Sequence, residues 1–375
     1  MTFVVETIRD RGRLEALRDD WDALSAGTPD RSPFLTYDWF RCCLEDSEGA
    51  ELFVLAAREG DRLVGIAPLC RERLRIRWRR ARAIGFLRCR ETPQADLVVE
   101  PARRAAVLDA ILRHLHEAER ASWDLLLLTP WLETSANLSL VREWIDASGA
   151  RRLERQASLA PVVPISGTWD EFWKGRSYLF RKSRRGILKR MQRVGEVEIE
   201  CHRADPRGEA LQALFDVSDR SWKRAEGKAV TSREESKRFF RALTETAGRH
   251  DWLRLWILRV NGTPIATEYD LAQDGVVYAL RADFDQSHAS FSPGAYLEYH
   301  LLERLFEEGN RAYHAGPGSD TYKLRWTEEQ RRCVTFITFN RGWSAALLWL
   351  AEGWAVPRLK GVRDRLFRSE PVERA

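Results

Sequence analysis

The sequence predicts a mixed α/β protein made of two similar halves, each a central, largely antiparallel sheet flanked by helices. Three observations carry this. The chain has 375 residues and is 44% hydrophobic, enough for more than one full-sized core at roughly 150 residues per domain. Asn261-Gly262 and Asp274-Gly275 separate strand-like runs, and these dipeptides supply the positive φ values that two-residue hairpins need. The hairpin around Gly60-Asp61 also matches the one around Asn261-Gly262 when Arg58 is laid on Arg259 and Leu63-Val64-Gly65 on Pro264-Ile265-Ala266. Later elements keep the same order, which points to two tandem units with a boundary near 155–170.

In the first half, Leu14, Leu17, Trp21 and Leu24 recur at helical spacing, and 32–45 is also helix-like. A strand over 51–59, a turn at Gly60-Asp61 and a return strand over 62–72 follow. A helix is expected over 103–121, a fully apolar strand over 123–130 and a helix over 138–148. In the second half, helices are expected over 208–225 and 232–247. Three strands then form a meander over 251–260, 263–273 and 276–283. Pro293 and Gly294 open a long helix that ends at Glu307-Glu308-Gly309, and strands are expected at 310–316 and 331–340.

Composition limits the classes of function. The basic residues are 53 Arg and only 8 Lys, a skew that reflects base composition more readily than binding, and the net charge of +5 allows an anionic ligand without requiring one. The six cysteines form no CxxC pair, which argues against a disulfide framework or zinc site and for reduced thiols in a cytoplasm. The opening MTFVVETIRD has no signal-peptide pattern, and the apolar stretch 343–356 is too short and too interrupted to span a bilayer. Walker, G-x-S-x-G and G-x-G-x-x-G motifs are absent, and the histidines show no metal spacing, so no metal is expected.

Chemistry concentrates in 263–326. A loop feeding a helix at Ser292-Pro293-Gly294-Ala295 would leave first-turn amides open to an anion, although proline at this place is also ordinary helix initiation. In Gly316–Trp326, Lys323 is one of few lysines and Tyr322 is a proton or hydrogen-bond donor; the alternative is a solvated Lys beside a core Tyr322 and Trp326. Strand alternation puts Glu268 and Asp270 on one face with Ala266, and Arg281 and Asp283 on one face with Val277 and Ala279. A carboxylate there would serve either as a general base or as a partner for Arg281. The Arg-rich tracts 71–90 and 174–193 suit phosphate contacts, or in the second tract a connector helix with a solvated basic face.

The 276–283 strand, Ser292-Pro293-Gly294, the helix to Gly309, Tyr313-His314-Ala315-Gly316 and the Y-K-x-x-W run at 322–326 together resemble the Gcn5-related N-acetyltransferase (GNAT) superfamily. The likeness is to its double-domain CelD/BcsL branch, with a BioF2-like acetyltransferase domain associated with cellulose or exopolysaccharide biosynthesis. It extends to the Fem-type transferases, which also pair two GNAT domains. The resemblance implies an N-terminal GNAT-like domain over 1–160 without cofactor, a C-terminal acetyltransferase domain over 161–345 and a basic tail over 346–375. It implies acetyl-CoA or another acyl-CoA as donor, with Leu280, Arg281, Ser292, Pro293, Gly294 and Ala295 at the cofactor. Glu268 or Asp283 would be the base, Tyr322 the acid, and Lys323 the partner of an anionic substrate group. The acceptor would be an amine or hydroxyl of a small molecule or glycan precursor. The R/Q-x-x-G-x-G/A loop of the family is replaced by SHASFSPG at 287–294. That departure leaves open an aminoacyl-tRNA donor, with 174–193 on the RNA, or a non-catalytic accessory of an exopolysaccharide synthase contacting a membrane or partner through 343–368.

Overall fold

The computed structural model describes residues 3–29, 31–47, 50–76, 79–318 and 322–350. The first half runs β1 (Val4–Ile8), α1 (Arg11–Glu15), α2 (Arg18–Ala26), α3 (Tyr37–Asp46), β2 (Glu51–Leu52), β3 (Val54–Glu59), β4 (Arg62–Ala67), β5 (Leu69–Ile76) and β6 (Arg79–Phe86). It continues through β7 (Val98–Val99), α4 (Arg104–His116), β8 (Leu125–Leu132), α5 (Ala136–Ala147) and β9 (Arg151–Pro164). Next come α6 (Trp169–Lys174), α7 (Tyr178–Met191), β10 (Val197–His202), α8 (Glu209–Arg220), α9 (Trp222–Ala225) and α10 (Glu234–Arg249). The chain closes with β11 (Leu253–Val260), β12 (Thr263–Gln273), β13 (Val276–Phe284), α11 (Pro293–Glu307), β14 (Ala312–His314), β15 (Gln330–Phe339) and α12 (Trp343–Leu350).

The strands form a four-stranded sheet, β1-β3-β4-β7, and an eleven-stranded sheet, β10-β11-β12-β13-β14-β9-β15-β8-β6-β5-β2. Pairing is antiparallel except at β13–β14 and β6–β8, and at a lone bridge between Ala95 and Trp131. The meander follows the turn chemistry: Asn261 and Gly262 have φ of 48° and 75°, Asp274 and Gly275 49° and 73°. One core joins α3, α8 and α10 to one face of β11–β13, including Trp39, Leu214, Phe240 and Tyr269. A second packs α7 and α11 on the other face through Ile187, Met191, Leu297, Leu301 and Trp256. A third, around Trp123 and Trp131, fills the first half.

Several expected elements are divided or joined differently. The 62–72 strand breaks at Pro68, which has no N–H for a ladder, so β4 lies in the small sheet and β5 in the large one. The 51–59 strand divides at Phe53 in the same way, and 32–45 divides into a 3-10 turn at Pro33–Leu35 and α3. The Arg-rich 71–90 tract forms most of the β5–β6 hairpin. The strands β1, β6, β7, β9 and β10 are not expected from the sequence, although Val197-Glu198-Ile199-Glu200-Cys201-His202 of β10 alternates apolar and polar residues. β9 is the longest strand, pairing with β14 at 162–164 and with β15 along most of its length, and the expected boundary at 160/161 lies inside it. β15 in turn pairs with β8 of the first half. Of the expected tail, residues 351–375 lie outside the described residues.

Candidate active site

β13 and β14 run parallel only from Val276–Tyr278 against Ala312–His314 and then part. β14's continuation stays with β9, where Ala315 N–H bonds Pro161 O and Gly318 N–H bonds Leu159 O. The edge of β13 beyond Tyr278 is therefore left open among the described strands. Asp285 N–H bonds Ile265 O, which sets the antiparallel alternation. Residues 281 and 283 turn their backbone groups toward β12, and Ala282 turns its own toward the opening, where Lys223 Nζ reaches Ala282 O at 2.6 Å. Gly316 makes the parting possible. Its φ is +73°, and a Cβ there would lie 2.9 Å from Ala279 O.

A cleft of about 590 Å³ occupies the gap. Of the ten residues singled out from sequence, Glu268, Leu280, Arg281, Asp283, Ser292, Gly294, Ala295, Tyr322 and Lys323 line it; Pro293 does not and is buried at the first position of α11. The cleft is lined from both faces of the sheet, and a bulge offsets β13 from β12 between Tyr269–Arg281 and Asp270–Ala279. Arg281 and Asp283 thus share a face with Thr267 and Tyr269, and not with Val277 and Ala279 as plain alternation predicts. One extra residue, Leu280, inverts the side of everything after it.

On the α11 face, Glu268 is buried and accepts a hydrogen bond from the Tyr313 hydroxyl. Burial raises its carboxyl from 4.5 to about 7; the Tyr313 bond opposes the rise and the neighbouring Glu298 adds to it. Asp270, fully buried two residues along, is pushed well above the usual carboxylate range by burial and by Glu268. Glu298 is also raised by burial, although Arg184 sits 2.7 Å away. Arg184 belongs to the basic 174–193 tract, yet it is buried, bonded to Ala295 O and stacked on Phe180 and Trp326. The rest of that helix keeps Lys182, Arg185, Lys189 and Arg190 exposed. The solvated basic face is thus real except at the position that anchors α7 to α11.

On the opposite face, Asp283 is clamped between Arg281 Nε at 2.6 Å and Lys223 Nζ at 2.8 Å. Arg281 also meets Glu91 of the first half at 3.4 Å and Lys228 O at 2.8 Å. Its guanidinium is fully engaged in this network, so what it and Leu280 offer a ligand is backbone and stem. Glu91 is raised by burial. At the rim, Lys323 Nζ lies 3.2 Å from Pro317 O, while Trp222 and Tyr322 are each 45% exposed, so Tyr322 is not core. Ser292 takes the left-handed conformation (φ 56°) at the start of α11, a strain of about 1–2 kcal/mol for a residue with a Cβ.

Sequence reasoning missed Tyr313, Glu298, Lys223 and Glu91. Tyr313 was legible as a strand residue, but its meeting with Glu268 joins positions 45 apart. Glu298 reads as the polar side of an amphipathic helix, and nothing local to Glu91 signals a partner in the other half.

Residues 179–324 match the family model described as an acetyltransferase (GNAT) domain. No curated protein sequence gives a significant match. Among solved structures the chain is similar to FemX, at 12% identity over 92% of this chain and 98% of that one, with a TM-score of 0.59. It is similar to L-PGS from Bacillus licheniformis, at 13% identity over 95% and 98%, with a TM-score of 0.54. A conserved protein of unknown function from Bacteroides thetaiotaomicron VPI-5482 is also similar, at 12% identity over 90% and 100%, with a TM-score of 0.56. The architecture is GNAT-like, with large, mostly antiparallel sheets flanked by helices. Among the described residues no helix is long and apolar enough to cross a membrane, and no cluster of His, Cys, Asp or Glu is arranged to hold a metal.

Proposed function

We propose that this protein is an acyltransferase that moves an acetyl or larger acyl group from acyl-CoA to an amine or hydroxyl, with residues 161–345 as the catalytic unit. The observation that carries the reading is Glu268. It is a buried carboxyl with a pKa of about 7, held by Tyr313 inside a cleft lined from both faces of the sheet. A base with a pKa near the working pH is both available and strong enough to take a proton. Asp283, neutralised by two cations, is the poorer candidate.

The donor would lie on the α11 face with its phosphates at the first turn of that helix. The Gly294 and Ala295 amides there precede the first bond of the helix, Tyr296 N–H to Ser292 O. A Cβ at Gly294 would meet only the Phe284 ring, at an ordinary 3.6 Å. Internal packing therefore does not require glycine there, whereas close approach of a ligand would. The thioester carbonyl would sit against the open edge at Ala282, whose backbone polarises it. Glu268 takes the acceptor's proton directly or through one water, the nucleophile attacks the carbonyl, and the thiolate leaves with a proton from Tyr322. Lys323 is assigned to an anionic group of the substrate. Binding from two faces brings both reactants to one gap. The first half would serve as scaffold, contributing Glu91, and an acceptor from polysaccharide or exopolysaccharide synthesis is the finer form of this reading.

A second reading, aminoacyl transfer from tRNA, is favoured by the exposed cations of α7 beside α11. Titration calorimetry with acetyl-CoA and with charged tRNA separates the two. Saturable acetyl-CoA binding together with acceptor-dependent thiol release supports the first. Binding of tRNA alone supports the second, and binding of neither sinks both and leaves the accessory role.

A further inference from the structure

Tyr313 and His314 point to opposite faces of β14. Where Tyr313 reaches Glu268, His314 packs edge-on against Tyr278 at 4.7 Å and lines a second cavity of about 310 Å³. This cavity lies at the junction of the two halves and shares no residue with the Glu268 cleft. Its apolar wall includes Phe34, Leu35 and Val276.

Among the described residues that line it, Arg31, Arg311 and Arg331 stand against one carboxylate, Asp96. Asp96 is engaged inward, accepting from Leu97 N–H at 2.7 Å and from Trp131 Nε1 and Asn137 Nδ2 at 2.9 Å. Asp274 serves Arg31 at 3.5 Å and, through its main-chain oxygen, Arg311 at 2.8 Å. Among the described residues Arg331 has no carboxylate partner, and no protein group bonds the His314 ring. Burial, with help from Arg331, holds His314 down to about 3, so the ring is neutral and offers one N–H donor and one acceptor.

We propose that this junction cavity is a second ligand site, for a small molecule carrying a carboxylate or phosphate ester on an apolar ring or short chain. The anionic head meets Arg331, Arg311 and the His314 N–H, since guanidinium forks match both oxyanions. The apolar part packs on Phe34, Leu35 and Val276. The site is independent of the acyl-transfer reading. Its walls come from both halves, so occupancy stabilises the whole fold.

Phenyl phosphate, benzoate and inorganic phosphate, titrated into the full chain by calorimetry and thermal denaturation, test this. The expected result is one saturable site for a ring-bearing probe, with a raised melting temperature and weaker binding of inorganic phosphate. The tighter of phenyl phosphate and benzoate assigns the head group. Arg331→Ala and His314→Phe, checked for fold by circular dichroism, each weaken it by about tenfold or more. Gln94→Ala, on the adjoining loop, weakens it less, and Glu268→Gln leaves it unchanged. The proposal is overturned if neither ring-bearing probe binds at millimolar concentration. It is equally overturned if binding survives Arg331→Ala, or if Glu268→Gln abolishes it and so moves the ligand to the other cleft.

Discussion

Replacing Glu268 with glutamine preserves shape and hydrogen bonding but removes the proton acceptor, so it separates catalysis from folding. General-base catalysis is worth about 10²- to 10⁴-fold, and kcat/KM for acyl transfer is expected to fall by that amount. The fold should respond in the opposite direction. A carboxyl raised from 4.5 to about 7 stabilises the native state fully below its unfolded value, and that contribution is lost as pH rises through about 7. At about 1.4 kcal/mol per unit, the gap corresponds to about 3 kcal/mol for this fully enclosed group. The neutral amide of Glu268→Gln avoids the buried charge, so the variant is expected to gain stability over wild type at pH 8 and to approach it below pH 4.5. Thiol release from acetyl-CoA with a panel of amines reports activity across pH, and urea unfolding at the two pH values reports stability. In wild type, kcat/KM rises with pH through an apparent pKa near 7. Retention of a tenth or more of the activity by Glu268→Gln, or a profile flat from pH 5 to 8, would refute the assignment of Glu268 as base.

Tyr313→Phe removes the donor that favours ionised Glu268, so the acid limb of the kcat/KM profile is expected to move to higher pH; an unmoved limb would dissociate the two groups. Gly316→Ala places a Cβ 2.9 Å from Ala279 O at a positive φ and should cost about 1–3 kcal/mol in urea unfolding, with weaker acetyl-CoA binding as the gap distorts. Arg184→Ala leaves Glu298 buried without its cation and is expected to destabilise by about 3–5 kcal/mol, with Arg184→Ala/Glu298→Gln recovering part of the loss.

Local signals carried far in the second half. The Asn261-Gly262 and Asp274-Gly275 turns specify hairpins because few other dipeptides accept positive φ twice, and they separate β11 from β12 and β12 from β13. Pro293 and Gly309 mark where α11 starts and stops for the same kind of local reason. Nine of the ten site residues read from sequence line one cleft, since the strand–loop–helix–strand run that names them also encloses it. Long-range pairing was not legible: β9 alternates weakly, and its partners β14 and β15 lie well over a hundred residues away.

By itself, then, the sequence determined the fold class, the hairpins, the long helix and the stretch whose residues line the cleft. These follow from backbone sterics and side-chain periodicity within a few residues of each position. Only the tertiary structure decided which carboxylate is buried with a raised pKa, and so is proposed as the base, and which is held in ion pairs. The bulge at Leu280 turns Asp283 toward Lys223, and the parting of β13 from β14 leaves Glu268 buried beside Tyr313. A carboxyl's proton affinity depends on what surrounds it in space, and in this chain those surroundings come from both halves.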